Sequence, residues 1–259
     1  FVFKDRVLKL INKRSKNFDD WYEFISALFG GFPEIETFGN RLSRYLQDLS
    51  YDILIDNQSL SYGILELQNK IPVIEIIHHP ITKDYEYDLQ SSRGIIQKIS
   101  KWRWFSFLKM QKKVSPCLKV ISTPSINSKK DIIKDFKVLE NRIVVIPNGI
   151  DHEIFSPKKY VNRNRRQLIT TASADVPLKG LDFTLKAIYS LKYDFPDIRL
   201  IIIGAPRPGG HTERLIKKLN IEANIIYKTN LTKEEIAIEY AHSSIAIVSS
   251  LYEGFGFPV

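Results

Sequence analysis

An α/β fold in two parallel-sheet domains is what this chain predicts, and three observations carry the prediction. Apolar runs alternate with helix-period segments along most of the length, the pattern left by strand–helix–strand crossovers. At 259 residues the chain is long enough to bury more than one core. A turn-forming stretch, Pro147-Asn148-Gly149-Ile150-Asp151, interrupts the alternation near the middle, and an exposed connector rich in Lys, Arg and Asn follows at 156–166. The expected division is 1–147 and 148–259, two coarsely duplicated αβ halves, each short of its full strand count.

In the first half the apolar runs place strands at 52–56, 73–77, 118–122 and 143–146. Helical stretches lie between them at about 59–68, 89–114 and 125–136, the last with Ser125 at an N-cap position. In the second half strands are expected at 167–171, 198–203, 224–227 and 244–248. Helices are expected there at about 179–193, 211–219 and 233–241. There is no low-complexity segment and no repeat of 20–50 residues.

Hydrophobic residues make up 44% and charged residues 26%, an ordinary globular balance. No apolar run reaches the roughly 18 residues that a membrane span needs, and no signal-peptide pattern starts the chain. A cytoplasmic protein is the reading. The chain begins at Phe1 and stops inside a motif, so an internal fragment is expected. The single cysteine, Cys117, excludes an internal disulfide and is expected to be a small buried hydrophobe.

The net charge of +9 suggests anionic partners. It is uneven: seven Lys or Arg and no acid lie between Arg93 and Lys113, with Trp102, Trp104, Phe105 and Phe107 among them. One reading is peripheral contact with an anionic membrane at its inner face. The competing one is an amphipathic helix whose aromatics pack on the sheet while its cations face water. Nucleic-acid binding is not expected, since no RNA-binding motif accompanies the stretch.

Four turns follow strand ends, where open α/β sheets place ligand groups. At Ile76-Ile77-His78-His79-Pro80 a histidine is positioned to meet a hydroxyl or phosphate or to exchange a proton. In Thr170 to Leu181, Lys179 adds a point charge near a helix N-terminus, and both attract phosphate. In Ile203-Gly204-Ala205-Pro206-Arg207-Pro208-Gly209-Gly210-His211, Gly204 permits close backbone approach and Arg207 has the reach for a phosphate. The last turn, Glu253-Gly254-Phe255-Gly256-Phe257-Pro258, offers a carboxylate for hydroxyls and bare amides for negative charge. Each also has a structural reading: a capped strand end, a solvated lysine, an ordinary loop.

Taken together the motifs resemble those of family 4 retaining glycosyltransferases with the GT-B fold. The likeness rests on P-N-G-I-D at 147–151, L-K-G-L at 178–181 and E-G-F-G-F-P at 253–258, in that order and spacing. D-N-Q-S-L-S-Y-G at 56–63, H-H-P-I-T at 78–82 and T-A-S-A-D-V-P-L-K-G at 171–180 are similar to one branch of the family. The resemblance runs from about Leu49 onward and implies two Rossmann-like domains facing across a cleft, both incomplete here. It implies a nucleotide-sugar donor, UDP- or GDP-linked, on the C-terminal side and a glycan, lipid or small-molecule acceptor on the N-terminal side. By position Glu253 would contact donor sugar hydroxyls, and Gly254, Phe255 and Gly256 would line the sugar and diphosphate. Lys179 would neutralise the diphosphate, His78 would approach the sugar near the reacting carbon, and Asn148 and Gly149 would be a hinge.

Three departures accompany the likeness. Many members carry an Arg five residues before the Lys, where this chain has Ala174. The second Glu of the motif would fall beyond Val259, and the Gly-rich loop after the family's first strand is absent from the sequence. No Asp-x-Asp pattern suggests a metal, and no carboxylate pair suits hydrolytic double displacement. Metal-independent, cofactor-free retaining transfer is the leading expectation. A nucleotide-sugar-binding module without activity, and a nucleotide-sugar epimerase, are the alternatives.

Overall fold

A computed structural model describes Leu8, Asn12 and residues 17–46, 50–92, 94–158, 160–172 and 175–256. The chain divides into two compact units, Phe1–Asn148 and Gly149–Val259. Each holds a four-stranded, fully parallel sheet with helices packed on it. Parallel sheets covered on both faces need strands apolar on both sides, which is why short runs of Ile, Val and Leu dominate these segments.

In unit 1 the strands β1 (Leu54–Asn57), β2 (Val73–Ile76), β3 (Ile121–Thr123) and β4 (Ile143–Val145) lie in chain order. Leu60, Ile64, Val73, Ile121, Ile132 and Phe136 form the centre of its core. Two helices appear where none was expected, Phe18–Leu28 and Glu34–Tyr45. The first carries a readable start signal: Asn17 and Asp20 cap each other, side chain to amide, at 3.0 Å in both directions. The second crosses helix Tyr62–Gln68 at backbone contact, because Gly39 and Gly63 meet there. A Cβ on Gly63 would lie 2.0 Å from the Gly39 carbonyl oxygen.

The single helix expected at 89–114 is instead several pieces. Thr82–Ser91 ends at Ser92, and Ile95–Trp104 starts after Gly94 at φ 93°. A 3-10 turn, Phe105–Phe107, leads into Leu108–Val114. Gly94 adopts a conformation that other residues resist, and the break follows from it. The aromatics divide: Phe105 and Phe107 are buried, whereas Trp102 and Trp104 are 54% and 47% exposed. Cys117 is exposed rather than buried, because the 3-10 turn Ser115–Cys117 points it outward before β3 begins. Arg93, at the start of the basic stretch, lies outside the described residues.

In unit 2 the strands are β5 (Asn164–Thr171), β6 (Arg199–Ile203), β7 (Ile225–Lys228) and β8 (Ser243–Ala246). Their order is β7-β6-β5-β8. The order reverses at β5: the chain moves outward through β6 and β7, then returns to place β8 on the other side. Crossover connections leave in opposite directions there, which opens a crevice at the carboxyl ends of β5 and β8. The core is centred on Leu168, Leu185, Ile188, Leu200, Ile202 and Ile216. Among the described residues no helix is long and apolar enough to cross a membrane.

Candidate active site

The switch point of unit 2 gathers two of the residues read from the sequence. Lys179 follows β5 on a 3-10 turn, Pro177–Lys179, rather than in the helix proper, which runs Leu181–Leu191. Glu253 follows β8. Lys179 Nζ donates to Glu253 Oε1 at 2.8 Å, with side chains 34% and 24% exposed.

Backbone and side-chain hydrogen bonds fix the two loops to each other. The Leu251 amide donates to the Leu178 carbonyl at 2.8 Å, Ser249 Oγ donates to the Lys179 carbonyl at 3.2 Å, and Thr184 Oγ1 donates to Ser249 Oγ at 2.9 Å. Gly180 permits this approach. Its φ is 62°, and a Cβ there would sit 2.0 Å from the Ser249 carbonyl oxygen. Gly254, Phe255 and Gly256 continue from Glu253, half-buried, with Gly256 at φ 84°. Phe257, Pro258, Val259 and the Ser173–Ala174 pair lie outside the described residues.

Arg207 and Gly204 belong to a neighbouring corner of the same unit. The Gly204 amide donates to the Lys228 carbonyl at 3.0 Å and so extends the sheet by one bond. Arg207 Nε lies 3.9 Å from Asp175 Oδ2. Asp175, at φ 59°, accepts from the Thr212 amide at 2.7 Å and so caps helix His211–Leu219 from the adjacent loop. Burial pushes its carboxyl up, but hydrogen bonds from the Thr212 amide and hydroxyl and the His211 amide, together with the Arg207 charge, hold it below its ordinary value. Sequence reasoning did not single out this capping role. An Asp just past a strand end was its only signal.

In unit 1, His78 follows β2 and is held by neutral groups. Its Nε2 lies 2.8 Å from Asn57 Oδ1, so with that oxygen facing the ring Nε2 carries the proton. Its amide donates to Gln58 Oε1 at 2.9 Å, and its carbonyl accepts from Ser128 Oγ at 2.8 Å. Gln58 Nε2 also donates to the His79 carbonyl at 2.9 Å, so one side chain clamps the turn on both sides. His79 turns away to Asp84, Nε2 to Oδ2 2.9 Å. Among the described residues no group of three or more His, Cys, Asp or Glu is arranged to hold a metal ion.

Comparison with known proteins agrees with this architecture. The model described as "Glycosyltransferase Family 4" matches residues 14–154, and "Glycosyl transferases group 1" matches 152–259. An MMP alpha-(1->4)-mannosyltransferase of Mycolicibacterium hassiacum is 36% identical over 242 residues, 92% of this chain and 58% of its own length. The sucrose-phosphate synthase of Thermosynechococcus elongatus superposes with a TM-score of 0.66 at 17% identity, over 86% of this chain and 57% of that one. A glycosyltransferase from Rickettsia africae gives 0.60 at 17% identity, over 95% and 60%. The chain thus spans little more than half the length of that mannosyltransferase, and about a third of two others that it matches more distantly. Two parallel Rossmann-like sheets, the GT-B likeness and a family model covering more than half of the chain lead to one conclusion: the chain belongs to glycosyltransferase family 4.

Proposed function

We propose that the protein moves a sugar from a nucleoside-diphosphate sugar to an acceptor hydroxyl with retention of anomeric configuration and without a metal. The observation that carries this reading is the Lys179–Glu253 contact at the β5–β8 switch point. Cleaving the glycosidic C–O bond puts negative charge on the departing diphosphate and positive charge on the sugar. An ammonium held by its backbone in a part-buried corner stabilises the first without reorganising. A carboxylate beside it accepts hydrogen bonds from sugar hydroxyls. Gly254, Phe255 and Gly256 bring backbone close to the ligand, and Arg207 is a second cation near the same strand ends. His78 is the proposed partner of the sugar on the acceptor-side unit.

The similarity to a mannosyltransferase favours mannose as the first sugar to test. The test uses the full-length protein and a panel of UDP- and GDP-linked sugars, GDP-mannose first. Transfer or donor hydrolysis that Lys179→Ala and Glu253→Ala each lower by about a hundredfold or more supports the enzyme. Donor binding with no turnover of any sugar supports the inactive module instead. NMR of the product anomer reads retention, and activity undiminished by EDTA reads metal independence.

Peripheral membrane contact has one specific support. On helix Ile95–Trp104, Ile95, Ile96 and Trp102 are 74%, 79% and 54% exposed, on the same short helix as Lys98 and Lys101. Sedimentation of the full-length protein with phosphatidylserine vesicles at low salt, lost on Ile96→Glu, is the expected result. Absence of the protein from the pellet would overturn it.

A further inference from the structure

One buried acid in unit 1 plays no part in the reading above. Glu75 lies mid-strand in β2 with 0% exposure, on the sheet face it shares with core residues Val73 and Ile77. Its strand partners are Asp56 on β1, itself 6% exposed, and Ile121 on β3. Neither Glu75 oxygen makes a hydrogen bond of good geometry. The Asp56 carboxyl and the amides of Gln58 and Leu60 nevertheless lie close enough to act on it. Burial, then the charge and hydrogen bonding of Asp56, push the Glu75 carboxyl up to about 10 against the pull of those amides. At neutral pH it is a carboxylic acid and can donate to Asp56.

The turn above this pair is strained. Gln58 and Leu60 both adopt positive φ, 65° and 50°, without being glycine. Such backbone persists only where its surroundings fix it several times over. Asp56 Oδ2 is one fixing point, accepting from the Ser59 amide at 2.9 Å and the Ser59 hydroxyl at 2.8 Å. The turn in turn carries Asn57 and Gln58, the side chains that hold the His78 ring and amide. We propose that Glu75 is a positioning residue for His78, acting through Asp56 and the 57–60 turn. An aliphatic residue would fill the same core position with less desolvation, so what Glu75 adds is a donor beneath Asp56. The proposal rests on the glycosyl-transfer reading only for the importance of His78, not for the linkage itself.

The experiment follows His78 directly, in full-length protein carrying 15N-labelled histidine. Glu75→Leu and Asp56→Asn are expected to move the His78 ring nitrogens off their single-tautomer shifts. They should also speed exchange of the His78 amide tenfold or more. Glu75→Gln, which keeps a side-chain donor, should hold both within twofold of the parent. His211, paired with Asp182 at 2.7 Å in unit 2, is the internal control. His78 signals that stay at parental values in Asp56→Asn and Glu75→Leu overturn the proposal, as does an equal shift at His211. If Glu75→Leu does not fold, Asp56→Asn against Glu75→Gln decides. In turnover assays with GDP-mannose or UDP-glucose, kcat falling tenfold in Asp56→Asn at unchanged donor KM supports the linkage, and a change in KM alone opposes it. A parent protein that turns over neither donor would count against the glycosyl-transfer reading, while the NMR outcome would stand.

Discussion

The two corners that carry the candidate residues are built in opposite ways. At His78 the contacts are neutral: an amide oxygen on the ring, an amide oxygen on the backbone N–H, a hydroxyl on the carbonyl. Charge lies beneath, in a carboxyl pair sealed from solvent. At Lys179 and Glu253 the charges are the contact itself, part-exposed, and the support beneath is backbone packed against backbone. A neutral cage fixes one orientation and one tautomer before any ligand arrives. Under the proposed glycosyl transfer, the charge pair opens when a diphosphate takes the lysine and sugar hydroxyls take the carboxylate. The first corner suits orientation, the second suits development of charge.

The largest effect is expected where charge develops. Lys179→Ala should lower kcat by about 10²–10³-fold, roughly 3–4 kcal/mol, in steady-state turnover of the full-length protein. A loss below tenfold would mean that diphosphate charge is met elsewhere and that the charged corner is structural. Next comes the buried acid. Glu75 stays protonated in the fold, while the unfolded chain ionises near the ordinary 4.5. Between about pH 4.5 and 10 the folded state therefore binds more protons, and the stability present at the acid end drains away as pH rises through that window. Glu75→Gln should flatten this slope, so its stability relative to the parent should improve by about 3 kcal/mol between pH 4.5 and pH 7 in chemical denaturation. A parallel offset at both pH values would show that Glu75 is already ionised.

Gly180→Ala tests the backbone support. An added methyl meets the Ser249 carbonyl and φ stays positive, so unit 2 should lose about 2–3 kcal/mol by denaturant melting. Unchanged stability with unchanged turnover would make the close approach incidental. The smallest change is expected at Asn57→Ala. Removing one neutral bond from the His78 ring should cost about 1 kcal/mol, a fivefold to tenfold fall in kcat, with donor KM held. A fall as deep as that of Lys179→Ala would erase the contrast between the corners.

Much of this was legible in the residues. Short runs such as Leu200 to Ile203 fix the strands, because a parallel sheet covered on both faces leaves little room for polar side chains. Lys179 and Glu253 were readable as a type of residue after a type of strand, but their direct contact was not, since it depends on β8 returning beside β5. The helices at 18–45 went unread although Asn17 and Asp20 spell out a capping box. The helix expected at 89–114 overran Gly94, whose positive φ no periodicity reveals. Glu75 was invisible for another reason: a lone acid in an apolar strand shows its significance only when the register sets it against Asp56.

That return of β8 also sets an order of events. Asn57 and His78 lie 21 residues apart in the chain, whereas Lys179 and Glu253 lie 74 apart. Closing the longer loop costs more chain entropy and must wait until β6, β7, β8 and three helices have been made. On a ribosome the histidine cage has all its parts early, while the charged corner completes only after the last described strand has emerged and docked. Nascent protein thus acquires the means to orient before the means to bear charge, and a chain arrested between the two would fold its first unit without a working second corner.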